Sequence, residues 1–149
     1  MKKVITFGVF DYFHLGHLRL FKQAKEHGDY LIVAVQDGEC TKMYKPDQIL
    51  LYSTEERKEI VSAIRLVDEV VEYKHINCET IKDFDFDVLC LGEDHNNERF
   101  RKIADWCIAQ GKEVVRLKRT PGICSTQIRE ILLDQKSEKD YCKPQCSGL

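Results

Sequence analysis

The chain has 149 residues, room for one domain with a real apolar core and too little for two. Lysine and arginine number 23 against 25 aspartates and glutamates, and the resulting charge of −2 excludes a general attraction to duplex nucleic acid or to an anionic membrane, so any anion site must be local. No apolar run approaches the roughly 20 residues of a spanning helix, the start MKKVITFGVF carries no signal-peptide core, and the odd count of seven cysteines reads as reduced thiols in a cytoplasmic protein.

In chain order, KVITFGV is the first expected strand, followed by a helix with Leu18, Phe21 and Ala24 at helical spacing and Gly28 as its stop. DYLIVAV is the second strand. From Gln36 to Tyr52 the periodicity lapses into a long, lysine-containing loop, and loops of that length inside small domains are often functional. Ser53 with Glu56 forms a capping box that opens TEERKEIVSAIR, whose buried face is Ile60, Val61 and Ile64. DEVVEY is the third strand and CETIKDF a short helix. DVLCLG is an unbroken apolar run of the kind found in strands covered on both faces. NERFRKIADWCIAQG follows as a helix with Phe100, Ile103 and Cys107 on one side and Gly111 as its stop; KEVVRL is the fifth strand, and a last helix runs to about Leu133.

Strands alternating with helices predict a single doubly wound, Rossmann-like α/β domain, a five-stranded parallel sheet flanked by helices, spanning residues 1–134. Residues 135–149, with Cys142 and Cys146, read as a flexible tail. The ligand of such a sheet lies beyond the carboxyl ends of its strands, where strand order reverses.

The stretch FGVFDYFHLGH stands at such an end. His14 and His17, three residues apart, project from the same side of a helix start beside its free amide groups, and Gly16 permits close approach of a ligand to the backbone. Amides, helix dipole and two imidazoles together make a phosphate cradle. Two plainer readings stand beside it: histidines that only cap and pack a helix end, and a metal site, for which no cysteine or carboxylate completes a closed zinc set. A dinucleotide fold is excluded at this turn because it carries no G-x-G-x-x-G.

The H-x-G-H element after the first strand, together with RTPGICST before the last helix, resembles the nucleotidyltransferase superfamily of cytidylyltransferases, with MKKVITFGVFD, EERKEIVSAIRLVDEVVE and LGED in family order. The resemblance implies an enzyme that transfers CMP from CTP to a small phosphorylated alcohol, glycerol 3-phosphate first, with release of pyrophosphate and with Mg²⁺ carried on the nucleotide. It implies His14, His17, Arg119, Ser125 and Thr126 as catalytic groups at the triphosphate. Gly8, Val9, Phe10, Gly16, Gly92, Asp94, Thr120 and Ile123 would line the nucleotide, Asp94 holding Mg²⁺ or a ribose or base group. Lys42, Lys45 and Arg57 would meet the second substrate. Asp11, by contrast, is expected to order the turn before the histidines. A homodimer is implied, with no nucleic-acid or membrane partner.

Val9 stands where the family often has threonine, Pro121 where glutamate is usual, Cys124 where serine is usual, and His95 where the glycerol-phosphate enzymes often have tryptophan. These departures keep open another acceptor phosphate, adenylyl transfer from ATP, and a nucleotide-binding protein without catalysis.

Overall fold

Five parallel strands, β1 (Lys3–Gly8), β2 (Tyr30–Gln36), β3 (Glu69–Tyr73), β4 (Val88–Gly92) and β5 (Glu113–Leu117), form one sheet in the order β3-β2-β1-β4-β5. The computed structural model describes residues 1–93 and 95–137. The helices are α1 (Leu15–Lys25), α2 (Gly38–Tyr44), α3 (Thr54–Ser62), α4 (Glu98–Ala109) and α5 (Ser125–Ser137), with a 3₁₀ turn at Thr80–Asp83. This is the doubly wound, Rossmann-like architecture expected from the alternation of elements.

Side-chain alternation splits the core into two layers. Val4, Leu31, Val33, Val35, Val88 and Cys90 point to the face that holds Phe21 and Ala24 of α1 and Val61 of α3. Ile5, Phe7, Ile32, Ala34, Leu89 and Leu91 point to the other, against Ile81, Phe100, Ile103 and Cys107. Val88 to Leu91 are completely buried, as the unbroken apolar run predicts. Cys40, Cys78, Cys90, Cys107 and Cys124 are free thiols, and burial pushes the pKa of Cys90 up to about 12 and that of Cys107 up to about 11, so these two are packing groups.

Three local expectations change. The loop from Gln36 to Tyr52 contains α2, whose N-terminus is capped by Asp37 through a 3.4 Å bond from the Cys40 amide. Gly28 is glycine because of crowding: an added Cβ would lie 2.6 Å from the Lys2 carbonyl oxygen and 2.6 Å from Val4 Cγ2. Gly111, at φ 78°, does take the left-handed conformation that ends α4. The last helix continues past Leu133 to Ser137; Asp94 and the rest of the expected tail, including Cys142 and Cys146, lie outside the described residues.

The capping box of α3 forms as expected, with Ser53 N–H donating to Glu56 (3.0 Å) and Glu56 N–H to Ser53 Oγ (3.1 Å). One turn on, α3 carries Arg57, which is fully buried. Its Nη1 donates to the carbonyls of Val9 (2.9 Å) and Gln36 (2.8 Å), its Nε to that of Tyr52 (3.3 Å), and its Nη2 to Thr54 Oγ1 (3.2 Å). Arg57, expected at the second substrate, is instead buried away from the cavity lining, with its donors on the carbonyls just after β1 and at the end of β2, on the Tyr52 carbonyl and on Thr54. Burial lowers its pKa, opposed by the nearby charges of Asp11 and Asp37.

Replacing Arg57 by alanine strands one buried and two half-buried carbonyls and is expected to destabilise the fold by roughly 3 kcal/mol, with lysine recovering less than half because it lacks the planar fork. Urea unfolding of the two variants measures this, and wild-type stability in R57A would refute the clamp.

Candidate active site

Chain order reverses between β1 and β4, and a cavity of about 520 Å³ opens there, past Gly8 and Gly92 at the ends of those strands. A volume of that size suits a small-molecule substrate.

The β1–α1 turn forms its first wall. Phe10 and Tyr12 adopt left-handed φ values of 56° and 50°, unusual for residues with a side chain. The turn folds Phe10 back over Gly8 so closely that a Cβ there would sit 2.7 Å from the ring. Bonds on both sides hold the strained turn: Arg57 takes the Val9 carbonyl, and the buried carboxylate of Asp11 accepts from the amides of Leu51 (2.8 Å) and Tyr52 (3.1 Å). Asp11 is thus the ordering residue the sequence suggested, but it orders the end of the long loop as well as its own turn.

His14 is the N-cap of α1 and His17 its third residue, and the two form a capping box. His14 Nδ1 accepts from the Gly16 amide at 3.0 Å, and His17 Nδ1 accepts from the His14 amide at 3.3 Å. An imidazole nitrogen that accepts carries no proton, so each ring bears its proton on Nε2. The rings stack with centroids 3.8 Å apart at 23°, and each keeps an Nε2–H donor. Capping the helix and keeping a free donor are therefore one arrangement, so the capping reading and the phosphate-cradle reading do not compete. Gly16 has a second reason to be glycine: a Cβ would lie 2.8 Å from His14 Cε1, so glycine makes room for the capping ring.

RTPGICST forms the opposite wall. Pro121 followed by Gly122 at φ 78° has the residue pattern of a type II turn, which accounts for proline where glutamate was expected. Cys124 Sγ accepts from the Gln127 amide at 3.4 Å, so the thiol caps α5 in the place of a serine hydroxyl. Ser125 Oγ donates to the Asp11 carbonyl at 3.1 Å, and Arg129 Nη2 meets the Asp11 carboxylate at 3.4 Å while its guanidinium lies 4.9 Å from the Tyr12 ring centre. The two segments that the sequence separates by more than a hundred residues thus converge on Asp11.

Gly8, Val9, Phe10, Gly16 and both histidines line the cavity from the first wall, and Arg119, Thr120, Ile123, Ser125 and Thr126 line it from the second. Gly92 lines its floor and Lys45 its rim. Lys42 lines a neighbouring groove, so of the two loop lysines only Lys45 reaches the cavity. Sequence reasoning missed Arg129, Tyr44 and Arg99, which also line it; none sits in a local motif that marks it out. His95 lies against Phe100, rings 4.3 Å apart at 24°, and also faces the cavity.

Among the described residues no three histidine, cysteine or acidic side chains gather as a metal site. Asp11 is consumed by amides and Arg129, which leaves Glu93 as the described carboxylate open to the cavity.

The histidine wall is uncharged. Burial lowers the pKa of His17 from 6.5 to about 3, with the neighbouring His14 adding to the effect, and burial followed by the Arg119 charge lowers that of His14. The unfolded chain takes up a proton near pH 6.5 that folded His17 refuses until about pH 3, so this residue's contribution to stability falls as pH drops through that window. Urea unfolding between about pH 6.5 and 4.5 is expected to show stability declining by at most about 1.4 kcal/mol per pH unit from this source, and H17N is expected to flatten the decline. An unchanged slope in H17N would show that the folded ring is protonated.

Residues 5–131 match the family described as Cytidylyltransferase-like. The chain is 41% identical over 132 residues to the glycerol-3-phosphate cytidylyltransferase of Bacillus subtilis (strain 168), covering 87% of this chain and 96% of that protein. Against the Staphylococcus aureus (strain NCTC 8325 / PS 47) protein of the same name identity is 39% over 134 residues, 89% of this chain and 96% of that one. A FAD synthase of Thermococcus sibiricus is 41% identical over 96 residues, 63% of this chain and 64% of its own. The solved lipopolysaccharide core biosynthesis protein of Thermoplasma volcanium GSS1 superposes with a TM-score of 0.65 at 24% identity, over 80% of this chain and 97% of that one, a likeness of fold. With that match across nearly the whole sheet and both walls of the cavity, the chain belongs to the cytidylyltransferase-like family of nucleotidyltransferases.

Proposed function

We propose that this enzyme transfers the cytidylyl group of CTP to glycerol 3-phosphate, releasing pyrophosphate and forming CDP-glycerol. The paired, neutral Nε2–H donors of His14 and His17 are the observation that carries the proposal. They stand at the N-terminus of α1, facing the N-terminus of α5, so that two helix ends, two imidazoles and Arg119 surround one cavity.

The chemistry follows from that arrangement. A phosphate oxygen of the acceptor attacks the α-phosphorus of CTP; the new P–O bond forms in line with the α–β bridge bond that breaks, and the bridging oxygen leaves with the pyrophosphate. A phosphate monoester is anionic near neutral pH and needs no general base. His14 and His17 donate to oxygens on which negative charge accumulates, which suits rings that accept no proton near neutral pH. Arg119 would meet the same charge with a guanidinium, and the amides of Ser125 and Thr126, at the start of α5, would serve as further donors to the triphosphate. Gly8, Val9, Phe10, Gly16, Gly92, Thr120 and Ile123 shape the wall along the nucleotide, and Lys45 approaches the acceptor phosphate. Asp94 lies outside the described residues; the family resemblance assigns it to the nucleotide.

Among the described residues few carboxylates face the cavity, which fits Mg²⁺ arriving on the nucleotide with its water shell largely retained. Glu93 would hold one of those waters, and the ion when bound neutralises triphosphate charge. Residues 1–134 form the catalytic unit in this reading. Met43, Ile49 and Leu51 each expose an apolar side chain in the segment from α2 to α3, which is consistent with burial against a second copy, and the enzyme would act as a homodimer. No helix among the described residues is long and apolar enough to cross a membrane, and we place the enzyme in the cytoplasm, supplying an activated alcohol for cell-surface polymers.

Adenylyl transfer from ATP is the second reading, and it draws on the FAD synthase relatives, whose product carries an adenylyl group. It ranks second because the FAD synthase matches cover 62–77% of this chain against 87% for the B. subtilis cytidylyltransferase.

Pyrophosphate release measured with CTP or ATP against a panel of phosphorylated alcohols is expected to be fastest with CTP and glycerol 3-phosphate; faster turnover with ATP would replace the first reading by the second. H14A and H17A are each expected to lower kcat by about 10²–10³, the loss typical of one transition-state donor. A wild-type rate in either variant would remove that residue from the mechanism.

A further inference from the structure

Tyr44 is the last residue of α2 and Arg99 the second of α4, segments that follow β2 and β4 respectively, and their side chains meet across the cavity. The Arg99 guanidinium carbon lies 4.4 Å from the centre of the Tyr44 ring. The ring is itself fixed: Tyr44 Oη is 2.7 Å from His75 Nδ1, the His75 ring stands edge-on to it at 5.7 Å and 75°, and His75 Nε2 lies 3.8 Å from Cys40 Sγ. Three connections, after β2, β3 and β4, are tied together at this corner.

Stacking occupies one face of a guanidinium and leaves its N–H edge open, the edge that matches two phosphate oxygens. Among the described residues no carboxylate pairs with Arg99 or with Lys45, the residue after Tyr44, and both line the cavity. The nucleotide already has an anion-binding wall of its own in the two histidines and the start of α5. A second cationic corner, assembled from other elements, calls for a second anion.

We infer that Arg99, held over the cavity by the Tyr44 ring, binds the phosphate of the acceptor alcohol together with Lys45. Tyr44 acts as a positioning residue, and His75 fixes Tyr44. The inference rests on the cytidylyl-transfer reading and supplies the acceptor contact that Arg57, committed to backbone carbonyls, does not make.

The test is steady-state kinetics with CTP and glycerol 3-phosphate varied independently, on wild type, R99A, R99K, Y44L and Y44F. R99A is expected to raise the KM for glycerol 3-phosphate about tenfold or more while the KM for CTP stays within about twofold. R99K recovers part of the loss. Y44L, which removes the ring, moves the same constant in the same direction, and Y44F, which keeps the ring, moves it least. A rise in the KM for CTP, or a fall in kcat with the acceptor KM unchanged, overturns the inference and leaves the reaction standing. Wild-type enzyme that turns over no phosphorylated alcohol with CTP overturns the reaction and the inference together. R99K and Y44F, the two conservative changes, keep the test decisive if R99A fails to fold.

Discussion

Buried hydrogen bonding at the carboxyl edge of the sheet is the constraint on which the site depends. Parallel strands end in carbonyl and amide groups with no further partner, and here those ends are turned over rather than left to water. Arg57 takes the carbonyls of Val9, Gln36 and Tyr52, and Asp11 takes the amides of Leu51 and Tyr52. Two oppositely charged side chains thereby stitch the β1–α1 turn to the segment before α3 without pairing directly. Both charges are fully engaged in directed bonds, the condition under which a buried ion is tolerated. The left-handed Phe10 and Tyr12 persist because these bonds over-determine the turn that contains them.

Once the turn is held, α1 must start where it does, and its first free amides are met by imidazole nitrogens in the place where a serine or aspartate would usually serve. That substitution has a chemical consequence. A hydroxyl or carboxylate cap would spend its oxygen on the amide and present little to a ligand, whereas an imidazole that accepts through Nδ1 must donate through Nε2. Burial of His17 beside Phe10 and Phe13 keeps the pair neutral, so the donors do not compete with their own protonation. Asp11 joins this wall to the other: its carbonyl receives Ser125 and its carboxylate Arg129, so the start of α5 is registered against the same turn that registers the histidines.

What the sequence made legible was local. The strands, the Ser53–Glu56 box, the stop at Gly111 and the histidine pair are patterns within a few residues, and each reappears in the fold. The H-x-G-H and RTPGICST segments could be joined only by resemblance, because nothing in either spelling says that both close on Asp11. Arg57, which the resemblance set at the second substrate, is bonded instead to strand-end carbonyls, and no local pattern in the sequence shows those carbonyls to be within its reach. Arg99 and Tyr44 were invisible since their contact bridges α4 and α2, more than fifty residues apart. The glycines were legible as glycines and not as causes; Gly16 and Gly28 are small because a ring and a strand pass close by, a tertiary fact.

The departures from the family pattern fall into place when backbone and side-chain contributions are separated. At Val9 the group in use is the carbonyl, which any residue supplies to Arg57. At Cys124 the group in use is a lone pair toward an amide, which sulfur supplies at longer range than oxygen. At Pro121 the ring restricts φ in a turn that Gly122 completes, so the change tightens the approach to α5 without removing a bond from it. His95 is different in kind, for its ring is stacked on Phe100 and faces the cavity, and a smaller, polar ring there alters the surface offered to whatever occupies that side. Three of the four substitutions preserve the hydrogen-bonded frame of the two walls, and the fourth acts on the shape of the space between them; the surface of the cavity can therefore change in this fold while its frame stays the same.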